Sequence, residues 1–255
     1  MDIKKMTPAE LYELAKKKYY KVYDFDKGTK VADKRWIRVG LIPDPNKKIT
    51  WNFFDGERLV SPTNFDKAEP FCDGTSVVVN GGKYNVLKDD GALVFSDWYD
   101  YVAKCDDCKH YIIEANKDKY GLVKTEAFSD LDGKVVSEWY DQMLPMLHRN
   151  LWCVSKGKSI AERKNAVFDL DKCETVTDWY DSVMMFQWKD MFGKPFARVK
   201  KDGLNNLMDG DLDVLFSVWS KRPIEVGKDG SCQIFSSDGT VYNANVNTRK
   251  LEIVS

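Results

Sequence analysis

The sequence predicts an all-β repeat protein: consecutive three-stranded antiparallel units of about 40 residues behind one N-terminal helix. Three observations predict it. A five-residue motif recurs as Ser96-Asp97-Trp98-Tyr99-Asp100, Ser137-Glu138-Trp139-Tyr140-Asp141 and Thr177-Asp178-Trp179-Tyr180-Asp181. Its tryptophans, with Trp219 as a fourth, are spaced by 41, 40 and 40 residues. The stretches between them read as short β-branched runs broken by Gly and Asp-Gly turns. A fixed period of this size marks a repeat architecture, in which a unit too small to bury its own faces stacks on its neighbours.

In chain order, 1–35 reads as a helix and cap. Thr7 is the N-cap, Pro8 fits the first helical position and Glu10 completes a capping box. Leu11, Leu14, Ala15 and Tyr19 form an apolar stripe, and Lys16, Lys17 and Lys18 suit the negative end of the helix dipole. The helix reads as a lid over the first sheet, with a docking helix for a partner as the rival. The repeat domain is expected over 36–255, with units near 36–70, 71–104, 105–144, 145–183, 184–222 and 223–255.

The unit at 71–104 shows the pattern best. Thr75–Asn80 is Val-rich, Gly81–Gly82 is a tight turn and Lys83–Lys88 is a second strand. Asp89–Asp90–Gly91 is another turn, and Ala92–Tyr101 is expected as the third strand. The next unit has 118–123, then "TEAFSD" as extra residues, then 131–141. Later units fall at 163–181 and 201–220, and an earlier one at 49–66. The last, 229–246, keeps two strands and an Asp-Gly turn without the tryptophan. An open twisted array and a propeller-like ring both satisfy this patterning. Unlike ends, one helical and one degraded, favour the open array.

An aromatic followed by a small residue, an apolar run, a turn glycine, and a strand ending in an aromatic–acid pair together resemble the WG-repeat family, also called KWG repeats. The first element stands at Trp51–Asn52, Tyr84–Asn85 and Tyr120–Gly121, degraded at Asn165–Ala166 and Asn205–Asn206. The turn glycines are Gly56, Gly91, Gly133 and Gly239, with Lys172 in the third full unit. The closing pair is Phe65–Asp66, Tyr99–Asp100, Tyr140–Asp141 and Tyr180–Asp181, lost at Ser220–Lys221. The resemblance covers most of the chain and implies a bacterial or phage protein without an assigned activity, virion-associated if phage-encoded.

Side chains alternate faces along a strand, which would place Val94, Ser96 and Trp98 on one side and Phe95, Asp97 and Tyr99 on the other. The motif then reads as a joint buried on both sides. The structural positions are Trp98, Tyr99, Asp100, Trp139, Tyr140, Asp141, Trp179, Tyr180, Asp181 and Trp219. On this reading Trp139→Ala is strongly destabilising, and each closing aspartate accepts N–H groups of the following turn.

The chain has 39 basic and 40 acidic residues, 43% hydrophobic and 31% charged content. That composition builds a core, and the charge balance excludes a global field for nucleic acid. No apolar run approaches the roughly 20 residues that span a bilayer, and the N-terminus lacks a signal-peptide core. A soluble, cytoplasmic protein without membrane insertion is expected. The six scattered cysteines read as reduced thiols.

Cys105, Cys108 and His110 form the one metal-like cluster, two thiols at zinc spacing with a nearby imidazole. No second such pair completes a closed site, so the cluster reads as a turn, and neither metal nor cofactor is expected. Walker, GxGxxG, HExxH and G-x-S-x-G signatures are missing from the sequence, and its two histidines limit His-dependent triads. Trp188, Met191 and Phe192 fall in a Met-rich aromatic stretch that reads as the strand and turn linking the third and fourth units, with part of its apolar content in the core, and that could also form an adaptable binding surface. The expected function is a non-catalytic scaffold for protein–protein interaction or structural assembly. The alternative is a glycan or small-ligand module using the repeated Trp and Tyr rings.

Overall fold

The structure, a computed structural model, describes residues 7–19, 21–22, 37–41, 49–117, 124–146, 150–157, 159, 161–187 and 196–254. It is nearly all β: one helix, Pro8–Lys18, and six small antiparallel sheets among the described residues, each ordered as in the sequence and none closed into a barrel. No helix there is long and apolar enough to cross a membrane.

Thr7 and Glu10 set the start of the helix. The Thr7 hydroxyl accepts the Glu10 N–H at 3.3 Å, and the Glu10 carboxylate accepts the Thr7 N–H at 2.7 Å. Leu11 and Ala15 bury against Val39 and Phe54, so the helix covers the first sheet.

The chain divides into two compact units, Met1–Val136 and Ser137–Ser255. The first holds three sheets. Their strands are Lys21–Val22, Ile37–Leu41 and Thr50–Phe54; then Lys67–Ala68, Thr75–Asn80 and Lys83–Lys88; then Tyr101–Lys104, His110–Ala115 and Thr125–Asp130. The second unit also holds three. One is four-stranded, Gln142–Pro145, Leu151–Lys156, Lys164–Asp169 and Glu174–Thr175. The others pair Ser182–Gln187, Phe196–Lys201 and Leu204–Asp209, and Ser231–Phe235, Val241–Asn245 and Leu251–Ile253.

Each core lies between consecutive sheets. In the first unit, Phe53 packs with Phe71, Val78 and Leu87, while Val86 packs with Tyr111, Ile113 and Ala127. In the second, Val167 packs with Ala197, Val199 and Met208, while Leu207 packs with Ile224, Ile234 and Ala244. Adjacent residues therefore serve opposite cores: Phe53 and Phe54, Val86 and Leu87, Leu207 and Met208. Alternation along one strand puts one side chain on each face, which a stack of sheets requires.

Three expectations are corrected. The segment expected as a third strand, Ala92–Tyr101, is irregular up to Asp100, with isolated bridges to its neighbour at Leu87–Leu93 and Tyr84–Tyr99, and Tyr101 opens the next strand. The doubly buried strand is the one before it. "TEAFSD" is no insertion but the strand Thr125–Asp130, paired over its length with His110–Ala115; Tyr120–Gly121 lies outside the described residues. The last sheet has three strands, because Leu251–Ile253 pairs with Val241–Asn245.

Candidate functional site: the motif segments

Between its two bridges the irregular segment is held by a side chain. Asn85 lies fully buried, and its amide donates to the carbonyls of Phe95 at 2.9 Å and Asp97 at 3.0 Å. Its carbonyl oxygen accepts the N–H of Phe95 at 3.2 Å and of Val86 at 2.7 Å. One primary amide thus stands in for a stretch of strand, satisfying backbone groups that would otherwise be buried unpaired. Asn52 does the same for Ser61 and Thr63, and Asn206 for Phe216 and Val218. Where the third full unit has Ala166 instead, the Thr177 hydroxyl accepts the Val167 N–H at 2.9 Å.

The sequence reading missed this role. Its signal was visible as the residue after the aromatic in Trp51–Asn52 and Tyr84–Asn85, and again at Asn206. A small polar residue in an otherwise apolar strand asks where its hydrogen bonds go.

Each closing aspartate caps a hairpin of the sheet that it opens. Asp66 accepts the Gly81 N–H at 2.8 Å, Asp100 the Lys117 N–H at 3.0 Å, Asp141 the Gly157 N–H at 2.7 Å and Asp181 the Gly203 N–H at 2.9 Å. Each N–H belongs to the hairpin that follows the aspartate, as the sequence reading expected. Lys83 and Lys164 come from the preceding sheet to pair with Asp100 and Asp181. The Lys164 ammonium and the Gly203 N–H hold the Asp181 carboxyl below its ordinary range. At Asp100 burial works the other way and is outweighed by Lys83 and the Lys117 N–H.

The aromatic pair divides its labour, and the expected burial of tryptophan is incomplete: Trp98 and Trp219 pack against the cores only from their edges. Phe65, Tyr140 and Tyr180 are buried, and Tyr99 is half-buried. Trp139 is 38% exposed, and Trp98, Trp179 and Trp219 are half-buried. The irregular backbone breaks strict alternation, so the second aromatic enters the core while the indole lies along its rim. Trp98 leans on Phe65, and Trp219 stacks on Tyr180, with centroids 6.4 Å apart in each pair.

The acids before Trp139 and Trp179 each hold a lysine beside the aromatic pair. Glu138 pairs with Lys156, whose ammonium sits 5.5 Å from the Tyr140 ring centre and 5.2 Å from that of Trp179. Asp178 pairs with Lys201 at 2.9 Å, over Tyr180. Each lysine neutralises the acid while lying on an aromatic face, a cation–π arrangement.

Cys105, Cys108 and His110 occupy a hairpin turn. Asp107 organises it, accepting the N–H groups of Lys109 and His110 and sharing a 2.6 Å hydrogen bond with His110 Nδ1. Burial, then Asp107 and Asp106, push the Cys105 thiol up to about 12. Among the described residues no three His, Cys, Asp or Glu side chains are grouped to hold a metal ion. Trp188, Met191 and Phe192 lie outside the described residues; just before them, Met184 is 58% exposed.

Two surface concavities stand out. One of about 480 Å³ is lined by Tyr84, Asp100, Tyr101, Glu114, Lys117 and Lys124. The other, about 660 Å³, lies on the last sheet beside Arg222, Gln233, Phe235 and Asn243.

No family model and no curated protein matches the chain. Among solved structures it is similar to a eukaryotic initiation factor at 10% identity, with TM-score 0.39 over 70% of this chain and 50% of that one. It is similar to BamB from Moraxella catarrhalis at 12% identity, with TM-score 0.30 over 84% of this chain and 73% of that one. Dihydro-heme d1 dehydrogenase NirN in complex with DHE is similar at 14% identity, with TM-score 0.31 over 88% of this chain and 55% of that one. The chain spans about half the length of the initiation factor and of NirN.

Proposed function

We propose that this chain is a non-catalytic scaffold of WG-repeat type, which holds a protein partner on the rim formed by the motif tryptophans of its second unit, Trp139, Trp179 and Trp219. The observation that carries the reading is the exposure of Trp139 beside the buried Tyr140. Large indole rings at a rigid surface are what protein interfaces use as anchors. The polar groups of the motif are engaged in the frame: Asn85 splices the backbone, Asp181 ties two sheets, and Glu138 and Asp178 hold lysines. Rings on a stiff framework suit preorganised binding more than bond-making chemistry.

The test compares capture of proteins from the source cell's extract by the parent and by Trp139→Ser, both checked for folding. A partner retained by the parent and lost by the variant, which stays folded with a melting temperature only a few degrees lower, is the expected result. The same retained set for both would refute the assignment to the tryptophan rim.

The concavity beside Tyr101 favours a second reading, glycan or small-ligand binding. Tyr101 is 41% exposed, meets Tyr84 edge to face at 5.4 Å, and is flanked by Asp100, Glu114 and Lys124. An aromatic platform beside hydrogen-bonding groups is the usual form of a small-ligand site. Oligosaccharide binding abolished by Tyr101→Ala and untouched by Trp139→Ser would establish this reading over the first.

A further inference from the structure

Two exposed thiols lie in turns of consecutive sheets. Cys72 opens the turn between Lys67–Ala68 and Thr75–Asn80, and Cys108 sits in the turn between Tyr101–Lys104 and His110–Ala115. The two turns are joined twice. Lys104 Nζ reaches Asp73 Oδ2 at 3.2 Å, and the Tyr111 hydroxyl donates to Thr75 Oγ1 at 3.3 Å. The same Asp73 oxygen accepts the Cys72 thiol at 3.6 Å. Cys72 is therefore held within one side chain of the residue from which the Cys108 turn starts.

Burial and Asp73 push the Cys72 thiol up, and Cys108 adds to the effect. The sequence-adjacent alternative, a Cys105–Cys108 pair, is disfavoured because Cys105 is buried and held as a thiol.

We propose that Cys72 and Cys108 form a disulfide between the second and third sheets when the protein meets a peroxide. Cys108, at the exposed turn, attacks first: its thiolate sulfur bonds to one peroxide oxygen, the O–O bond breaks, and the departing hydroxide takes up a proton to become water. The sulfur of Cys72 then attacks the sulfenic sulfur of Cys108. The S–S bond forms, the S–O bond breaks, and the released hydroxide takes the Cys72 proton to give a second water. The two thiols lose two electrons and the peroxide gains them. The bond closes the chain from 72 to 108 and removes conformations from the unfolded state, which raises stability.

The experiment treats the dilute full-length chain with hydrogen peroxide, blocks remaining thiols and maps the peptides. Expected are a Cys72–Cys108 linked peptide in the monomer, an intact mass lower by two hydrogens, and a higher melting temperature that a dithiol reductant reverses. Cys72→Ser and Cys108→Ser should each lose the link and the temperature shift, and Cys173→Ser should keep both. Thiols oxidised without linkage, a different pair, or links only between chains would each overturn the proposal.

Discussion

The side-chain amide of Asn85 donates to the Phe95 carbonyl at 2.9 Å, while its own oxygen receives the Phe95 N–H at 3.2 Å. Across ten residues, a side chain thus imitates the two-way exchange of a β-ladder. Asn85→Ala would leave carbonyls at Phe95 and Asp97 and an N–H at Phe95 without this partner. Buried groups left unpaired cost about 1–3 kcal/mol each, partly relieved by water, so a loss of about 3 kcal/mol is expected. Asn85→Asp should be at least as damaging, because a carboxylate accepts but cannot donate to the two carbonyls. Urea denaturation of both variants checks this; an Asn85→Asp protein as stable as the parent would contradict it.

Gly133 has φ +89°, and a Cβ there would lie 2.6 Å from the Val94 carbonyl oxygen. It therefore meets two demands, a left-handed turn and the close approach of one sheet's turn to the preceding segment. Gly133→Ala should cost roughly 3 kcal/mol, from backbone strain and from forcing backbone apart. Gly82→Ala has the same kind of φ, +78°, with nothing within 4 Å, and should cost only about 1 kcal/mol. Comparing their melting temperatures separates conformation from contact; equal losses would mean that the approach to Val94 contributes nothing.

The period and the turns made the architecture legible, because sheets of this size need neighbours and their hairpins need glycine. Asp66, Asp100, Asp141 and Asp181 were legible for the same reason: an acid at a strand start has few partners except the adjacent hairpin. The tryptophans were misjudged because alternation was carried through Ala92–Tyr101, where the backbone is not a strand. Nothing in local propensity distinguishes a ladder made by backbone from one completed by Asn85. The strand at Thr125–Asp130 was overlooked because Glu126 and Ser129 interrupt its apolar pattern, yet both are buried.

Asp181 links two sheets by charge, so the link depends on pH. Its folded carboxyl titrates below its ordinary range, chiefly through Lys164 and then the Gly203 N–H. A depressed carboxyl contributes stability that is present above its unfolded pKa, near 4, and is lost as pH falls through the folded value. Asp181→Ala should cost about 1 kcal/mol at pH 7, at the low end for a charged hydrogen bond because the group is partly solvated. The difference from the parent should shrink steadily below about pH 4. Melting curves from pH 7 to pH 3 measure it, and a gap that stayed constant or widened on acidification would refute the ionic link.

Tyr140 is 1% exposed and meets Phe168 edge to face at 6.2 Å, whereas its neighbour Trp139 is 38% exposed. Cavity formation makes Tyr140→Ala costly, about 3–5 kcal/mol, in line with other buried aromatics. Trp139→Ala removes a larger ring but opens no enclosed space, and water can follow the retreating surface. Its cost should be about 1–2 kcal/mol. The ranking reverses what ring size alone would give, and chemical denaturation of the two variants measures it directly. If Trp139→Ala proved the more destabilising, the indole would be part of the packed joint, and the tryptophan rim would lose its claim as a binding surface.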